Sequence, residues 1–370
     1  MNVQSDLKDR QLTTQIQAIV AKKYDLGELT RIREIFGGYC NKSYAVWMDM
    51  QGRAKKFFMR EYNPGTAESE IRFEHALLNH LRGNGLDIVS GVIPCRDGST
   101  FVRTSIRGRK ATYWALFEFL EGDDPYTWVK TDLTDAEFAS AAKILARLHH
   151  AGRDFIQPGG ADRAQPRIME FIPTFKNIFS GYAEQAGDRR CDRLFKANKD
   201  RIFSVIDRCM AAGKDYGGML QLPVHCDYHP GNLKYRDEKG VGIFDFDWSK
   251  IDYRVFDVAL GLVYFTSEWN GSAAGSLRMD KFALFLKNYN EQCTRLDGID
   301  PLTQKERESL IPMLETGNLY VLNWDLMDFY ETGNADDDEY YTYIEHNILL
   351  MHWIKAHSAD IGRVIQKICP

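Results

Sequence analysis

The chain's 370 residues exceed the roughly 250–300 at which a single hydrophobic core stops growing, so two lobes are expected. Apolar residues at 44% and charged residues at 27% suit an ordinary globular protein and exclude a disordered tail, a collagen-like repeat and a coiled coil. Forty-seven Lys and Arg against 52 Asp and Glu give a net charge of −5, which leaves no global basic field for nucleic acid or an anionic membrane surface.

From Leu12 through Ile16, Ile19 and Val20 the apolar spacing is helical and closes at Asp25 and Gly27, so the chain opens with a short amphipathic helix. Ile32 to Ile35, Ser43 to Met48 and Lys56 to Tyr62 are β-branched or aromatic runs parted by Gly37-Gly38 and Gln51-Gly52, the pattern of strands joined by tight turns. Ile71, Glu74, Leu77, Leu78 and Leu81 then recur at three and four until Gly83 and Gly85, which predicts a helix. Further strands are expected near Val89–Pro94, Ser99–Arg103 and Tyr113–Phe119. Glu121-Gly122-Asp123-Asp124-Pro125 breaks the strand pattern, so the lobe boundary is placed near residue 120, dividing 1–120 from 121–370.

Beyond the boundary the chain reads as helical. Thr134-x-x-Glu137 is a capping box, followed by a buried face at Phe138, Ala142, Leu145 and Leu148. Helical spacing returns at Ile168–Phe179, at Ile202–Met210 and through the last hundred or so residues. The seven cysteines contain no C-x-x-C pair, so neither a disulfide framework nor a cysteine zinc site is expected. Asp6, Lys8, Asp9 and Arg10 stand where a leader would be apolar, and no apolar run suits a spanning helix, so a cytoplasmic protein is expected.

The segment richest in chemistry runs His225-Cys226-Asp227-Tyr228-His229-Pro230-Gly231-Asn232, then Gly242-Ile243-Phe244-Asp245-Phe246-Asp247. Residues 233–236 and 241–244 read as a hairpin closed by Asp237-Glu238-Lys239-Gly240, which returns the chain to its starting level. Asn232 and Asp245 then lie side by side, and a carboxamide oxygen with a carboxylate suits a hard cation such as Mg²⁺. Asp227, five residues before Asn232, is left as a carboxylate beside the metal. One carboxylate to take a hydroxyl proton and two oxygen ligands to hold Mg²⁺ on nucleotide phosphates are what phosphoryl transfer needs.

Here the chain resembles the family of aminoglycoside phosphotransferases, choline kinases and homoserine kinases, whose catalytic loop reads H-x-D-x-x-x-x-N before a hairpin and an I-D-F-[DE] segment. The resemblance implies an α+β, protein-kinase-like two-lobe fold with a strand-rich N-lobe and a mainly helical C-lobe. It implies Asp227 as the catalytic base, Asn232 and Asp245 as metal ligands, Mg²⁺ as cofactor and ATP or GTP as co-substrate. His225 reads as a loop-orienting residue rather than a proton carrier, and Asp257, in Tyr253-Arg254-Val255-Phe256-Asp257, matches the family's structural aspartate opening a helix. Asp247 reads equally as a second metal ligand or an exposed acid.

In the first lobe Phe36-Gly37-Gly38-Tyr39-Cys40-Asn41-Lys42-Ser43 looks like the family's G-G-x-x-N turn, whose glycines let backbone N–H groups approach phosphates. It is neither a Walker A loop nor the protein-kinase glycine loop. Strand alternation puts Lys56, Phe58 and Arg60 on one face. By family position Arg60 replaces the usual phosphate-binding lysine, with Lys56 as the fallback, and its planar fork can hold a phosphate and a carboxylate together. Glu74 is the candidate carboxylate and Glu70, one turn earlier, its rival. Ala115–Leu120, including Phe117 and Phe119, falls where the family's hinge presents backbone groups to adenine.

Tyr320, Trp324, Asp328 and Glu331 recur at three and four and form an aromatic, acidic face suited to a cationic amine or sugar hydroxyls. Gly317-Asn318-Leu319 and Glu345-His346-Asn347 loosely resemble the tail of N-acetylhexosamine kinases, and the turn expected at Asp97-Gly98 is shared with homoserine kinases. The expected function is phosphorylation of a small hydroxylated metabolite, a sugar, amino sugar or amino alcohol, with no nucleic acid or membrane partner. The rivals are a protein kinase, disfavoured because Asp257 follows Asp245 by only 12 positions with no A-P-E after it, and a catalytically silent nucleotide-binding scaffold.

Overall fold

The computed structural model describes residues 4–7, 10–35, 41–105, 110–333 and 335–368. Segment 36–40, with Gly37 and Gly38, lies outside the described residues. The chain divides into two units, Met1–Glu121 with Ile156–Ala164, and Gly122–Phe155 with Gln165–Pro370. Segment 156–164, which the sequence pattern does not single out, joins the first unit through backbone: Asp162 N–H donates to Ser69 O at 3.0 Å.

The first unit runs β1 (Gln4–Ser5), α1 (Arg10–Lys23), β2 (Glu28–Ile35), β3 (Lys42–Met50), β4 (Arg53–Glu61), α2 (Glu68–Gly83), β5 (Val102–Thr104) and β6 (Thr112–Glu118). These described strands form one sheet in the order β1-β2-β3-β4-β6-β5, antiparallel except where β1 meets β2. Alternation on β3 and β4 turns Tyr44, Val46, Met48, Phe57 and Met59 into a core with Ile16, Ile19 and Val20 of α1. Lys56, Phe58 and Arg60 therefore take the opposite face.

Val89–Pro94 is not a strand as expected. Ile93 N–H donates to Leu116 O and Glu118 N–H to Gly91 O, both at 2.8 Å, but the segment pairs through isolated bridges such as Val92 to Phe117 and forms no strand. Pro94 has no N–H to extend it. Ser99 and Thr100 likewise precede β5 because Cys95 N–H donates to Ser99 O at 2.7 Å and closes a turn over Asp97-Gly98.

The second unit holds α3 (Asp135–Gly152), α4 (Ile168–Phe171), α5 (Phe175–Gln185), α6 (Arg190–Gly213), β7 (Gln221–Val224), β8 (Leu233–Arg236), β9 (Lys239–Ile243), β10 (Lys250–Tyr253) and α7 (Arg254–Thr266). Then come β11 (Ser267–Glu268), β12 (Ser276–Leu277), α8 (Met279–Cys293), α9 (Gln304–Glu331), α10 (Asp337–Ala356) and α11 (Ser358–Ile368). Thr134 caps α3 as its sequence predicts, Oγ1 accepting from Glu137 N–H at 3.3 Å while Glu137 Oε2 accepts from Thr134 N–H at 2.8 Å. Helix α7 is buried along its whole length, with α3, α8 and α9 packed around it. No described helix is long and apolar enough to cross a membrane.

The β8–β9 hairpin is tighter than expected. Arg236 pairs with Lys239, so only Asp237 and Glu238 turn, both at positive φ (51° and 60°) in the manner of a type I′ turn, whose twist matches the strands. Gly122 lies against this hairpin at φ 134°, where a Cβ would come 2.8 Å from Val241 Cγ2 and 3.1 Å from Tyr235 O. Only glycine lets the chain approach so closely, and Asp123 then exchanges two 2.8 Å backbone hydrogen bonds with Tyr235.

Candidate active site

The catalytic-loop segment leaves β7 at Val224 and is fixed by one buried carboxylate. Asp257, in the first turn of α7, accepts His225 N–H at Oδ2 and Cys226 N–H at Oδ1, each at 2.9 Å. His149 of α3 donates from Nε2 to Oδ2 at 3.1 Å, and Tyr289 of α8 donates its hydroxyl to His149 Nδ1 at 2.8 Å. Burial alone would push the Asp257 carboxyl up, but His149, His225 and the backbone donors hold it below the ordinary carboxylate range. These bonds offset the cost of Cys226 at φ 62°, a left-handed conformation that a side chain adopts only when its surroundings impose it.

His225 accepts Asp227 N–H at Nδ1 (3.3 Å) and donates from Nε2 to Phe244 O (3.0 Å), so the ring is neutral, and burial pushes its pKa down. It ties the loop to the hairpin's far strand and carries no proton away. At the hairpin base Phe244 N–H donates to Asn232 O at 3.1 Å, which sets Asp245 beside Asn232 in the chain's return. Asp245 itself takes φ 66°, ψ 62°.

Asn232 Nδ2 donates to Asp227 O at 2.8 Å and to Asp227 Oδ2 at 2.9 Å, which turns the amide oxygen, the atom a hard cation requires, away from Asp227. His229 accepts Gly231 N–H at Nδ1 (3.0 Å), so its Nε2 proton points at Asp227 Oδ2, 3.6 Å away. Gly231 is forced by space: a Cβ there would sit 2.9 Å from the His229 ring and 3.1 Å from Thr127 Cα. Burial would raise the Asp227 pKa, yet His229, His225 and the Asn232 amide hold it below the ordinary value. Asp227 is thus an ionised carboxylate at neutral pH, with Tyr264 pressed against it. Sequence reasoning missed His229, His149, Tyr289 and Tyr264.

In the first unit Arg60 Nη1 donates to Glu74 Oε1 at 3.0 Å, with both side chains buried. Glu70 is engaged elsewhere, accepting the N–H of Ala67 at 3.1 Å at the start of α2. Glu74 Oε2 accepts the Tyr62 hydroxyl at 2.8 Å, Tyr62 meets His75 Nε2 at 3.0 Å, and His75 Nδ1 meets Thr100 Oγ1 at 2.8 Å. The relay needs a neutral His75, and burial with Arg60 nearby pushes its pKa down to about 3. Lys56 instead lies 3.4 Å over the Phe119 ring, in an open depression of about 480 Å³ lined with Trp47, Lys55, Glu118 and Glu121. Phe117 is in the core, 5.9 Å from Phe58 and 5.4 Å from His75 between ring centroids. Glu118 N–H and O are engaged by Gly91 at 2.8 Å and Ser90 Oγ at 2.5 Å. Asn41 Oδ1 accepts Asn63 N–H at 2.8 Å, which pins its turn to the end of β4.

The C-terminal face expected from Tyr320, Trp324, Asp328 and Glu331 is largely consumed by internal partners. Tyr320 is buried with its hydroxyl on Gln165 (3.1 Å) and its ring against Phe256 (5.6 Å), and Glu331 accepts the Tyr182 hydroxyl at 2.5 Å. The buried acid is the neighbour of Trp324, Asp325, which accepts Asn347 Nδ2 at 2.7 Å. Burial, with Asp328 adding repulsion, raises its pKa well above the ordinary range. Because the unfolded chain ionises first, Asp325 costs stability as pH rises above about 4, the ordinary aspartate pKa. Asp325→Asn is therefore expected to melt higher than the parent at pH 8, with the difference fading towards pH 4; a variant melting lower at pH 8 contradicts this.

Residues 31–286 match the phosphotransferase enzyme family. Homoserine kinase of Ralstonia nicotianae is 24% identical over 326 residues, spanning 86% of this chain and 87% of the relative. Among solved structures, a microcompartment-associated aminopropanol kinase superposes with a TM-score of 0.68 at 18% identity, covering 95% of this chain and 98% of that one. An amicoumacin kinase solved with AMP-PNP and Ca²⁺ superposes at 0.65 with 12% identity, covering 98% and 94%. These likenesses carry the protein-kinase-like fold, and the match over most of its length makes the chain a member of the phosphotransferase enzyme family, a kinase with an alcohol group as acceptor.

Proposed function

We propose that the chain transfers the γ-phosphoryl group of ATP or GTP to the hydroxyl of a small metabolite of the homoserine, amino-alcohol or sugar type. The observation that carries this reading is the pairing of Asp227 with Asn232: the Asn232 amide nitrogen donates to the Asp227 carbonyl at 2.8 Å and to its ionised carboxylate at 2.9 Å, which steadies the carboxylate and turns the amide oxygen outward. Asp227 orients the acceptor hydroxyl and takes its proton as the bond to phosphorus forms. Asn232 and Asp245 would hold Mg²⁺. Among the described residues no three or more His, Cys, Asp or Glu gather as a self-sufficient metal site, which suits a cation completed by nucleotide phosphates. When bound, the ion neutralises charge on those phosphates.

In the first unit Arg60 is the phosphate-binding cation and Glu74 its brace. Glu74→Gln keeps the Tyr62 hydroxyl partner but weakens the hold on Arg60, and nucleotide KM is expected to rise roughly tenfold, the size of one charge-assisted hydrogen bond. A coupled assay that finds nucleotide KM unchanged removes Glu74 from this role. The whole reading is tested by nucleoside-diphosphate release with ATP and GTP over amino alcohols, homoserine, sugars, amino sugars and aminoglycosides, beside Asp227→Asn. Release with one acceptor class, lost in the variant, supports it. Silence across the panel, with no thermal stabilisation by nucleotide and Mg²⁺, sinks it.

A further inference from the structure

Behind Tyr264 the second unit buries a polar cluster that its own residues leave incomplete. Asp325 of α9 is 6% exposed, and among the described residues it has no cationic partner, only the Asn347 amide at 2.7 Å. Asn347 is held in turn by Tyr343 O at 3.0 Å, and its own carbonyl accepts Asn318 Nδ2 at 2.8 Å. Asn318 Oδ1 and both ring nitrogens of His346 are buried without a hydrogen-bond partner, although Asn318 is 0% and His346 4% exposed. Tyr343, His346 and Asn347 recur at three and four and so share one face of α10, while Asn318 and Asp325, seven apart, share one face of α9.

Buried polar atoms are almost always satisfied, and a buried carboxyl ionises only at a cost unless a cation joins it, so this cluster calls for a ligand. Its surroundings say which kind. Trp269 stacks on His346 with centroids 3.6 Å apart and planes 6° apart, and Trp128 packs 5.1 Å from Trp269 and 4.5 Å from Tyr343. Burial pushes His346 down to about 4, so its ring is neutral and presents an acceptor as well as a donor. A carboxylate, an amide oxygen and an imidazole nitrogen beside electron-rich rings suit a group that donates several hydrogen bonds and carries positive charge. The rim also adjoins the reaction centre: Thr127, next to Trp128, packs on the loop at Gly231, where a Cβ would come 3.1 Å from its Cα, and the Tyr264 ring lies 5.3 Å from that of His229 between centroids, with Asp227 and Asp325 both acting on its hydroxyl.

We propose that Asp325 and His346, behind the rim of Trp128, Trp269 and Tyr343, bind the ammonium group of the acceptor and make this kinase selective for amine-bearing alcohols. This rests on the phosphotransferase reading above and adds the end of the acceptor remote from the reacting hydroxyl. Asp325 and His346 are specificity residues here, not participants in the phosphoryl step.

The test uses the full chain with ethanolamine, aminopropanol and homoserine, each beside its counterpart with hydrogen in place of the amine. In the parent, kcat/KM is expected to fall at least about tenfold when the amine is removed, as for loss of a hydrogen bond to a charged group. Asp325→Asn is expected to raise acceptor KM about 10- to 100-fold with kcat nearly unchanged, and to abolish the preference for the amine. His346→Phe keeps the ring stack, removes both nitrogens and should shift KM in the same direction. Melting curves confirm that the variants fold. Calorimetric binding of the same amines to Asp227→Asn, with and without Asp325→Asn, separates this inference from the catalytic one. Binding that needs Asp325 supports the ammonium site even if no turnover is found. A parent that phosphorylates sugars or amine-free alcohols as well as the amines, or a folded Asp325→Asn with unaltered KM and binding, overturns it.

Discussion

Asp227→Asn is expected to lower turnover by about 10²- to 10⁴-fold, the usual contribution of a positioned proton acceptor, while leaving nucleotide affinity and melting temperature close to those of the parent. The exchange is nearly isosteric, and the loop does not depend on the charge it removes. Asn232 keeps its 2.8 Å bond to the residue's carbonyl, and the backbone of His225 and Cys226 remains anchored on Asp257. What disappears is the oxygen proposed to take the acceptor's proton. Because the Asp227 pKa is held below the ordinary carboxylate value, the residue stays competent throughout the neutral range. Any acid limb of the parent's pH–rate profile that belongs to Asp227 therefore lies below about pH 4. Single-turnover phosphoryl transfer and nucleotide titration on the same preparation decide the matter. Parent-like turnover in the variant, or loss of nucleotide binding along with it, contradicts the assignment.

Much of the fold was legible because its determinants are local. Strand alternation put Lys56, Phe58 and Arg60 on one face, Thr134 and Glu137 announced the start of α3, and the hairpin after Asn232 explained why residue 245 returns to its side. The choice of Glu74 over Glu70 was not local: both lie on nearly the same side of α2, and only packing shows that Glu70 folds back onto the helix start while Tyr62 steers Glu74 towards Arg60. His149, Tyr289 and Tyr264 were invisible for a related reason, since they reach the catalytic loop from α3, α8 and α7 and no spacing rule links them. Periodicity found an aromatic, acidic face on α9, but this helix is buried on nearly all sides. A repeat of three and four residues then says which residues share a face without saying what each face meets, and so the pattern passed over Asp325. The turn at Asp237-Glu238 ran against local preference, because glutamate rarely takes positive φ; the Arg236–Lys239 register imposes it.

Asp257→Ala should produce the largest loss of stability. The carboxylate satisfies the N–H groups of His225 and Cys226 and the Nε2 proton of His149, and its removal leaves three buried donors unpaired. The expected cost is about 3–5 kcal/mol, as for breaking a buried charge network by deleting one partner, or roughly 10 °C in melting temperature for a unit of this size. Activity should fall further than folding alone explains, because Cys226 is then free to leave its left-handed conformation and carry Asp227 with it. Asp257→Asn is the sharper variant. One carboxylate oxygen serves His149 and His225 while the other serves Cys226, so an amide placed either way turns its NH₂ towards a backbone N–H, and a change of His149 tautomer relieves only the imidazole side. Because the Asp257 pKa is depressed in the folded chain, its stabilisation is present above the ordinary aspartate pKa and lost as pH falls through the folded value. The gap between parent and variant should thus be constant from about pH 5 to 8 and close only below about pH 4. An Asp257→Asn protein that melts with the parent and keeps full turnover would show that the loop is held by something other than this carboxylate.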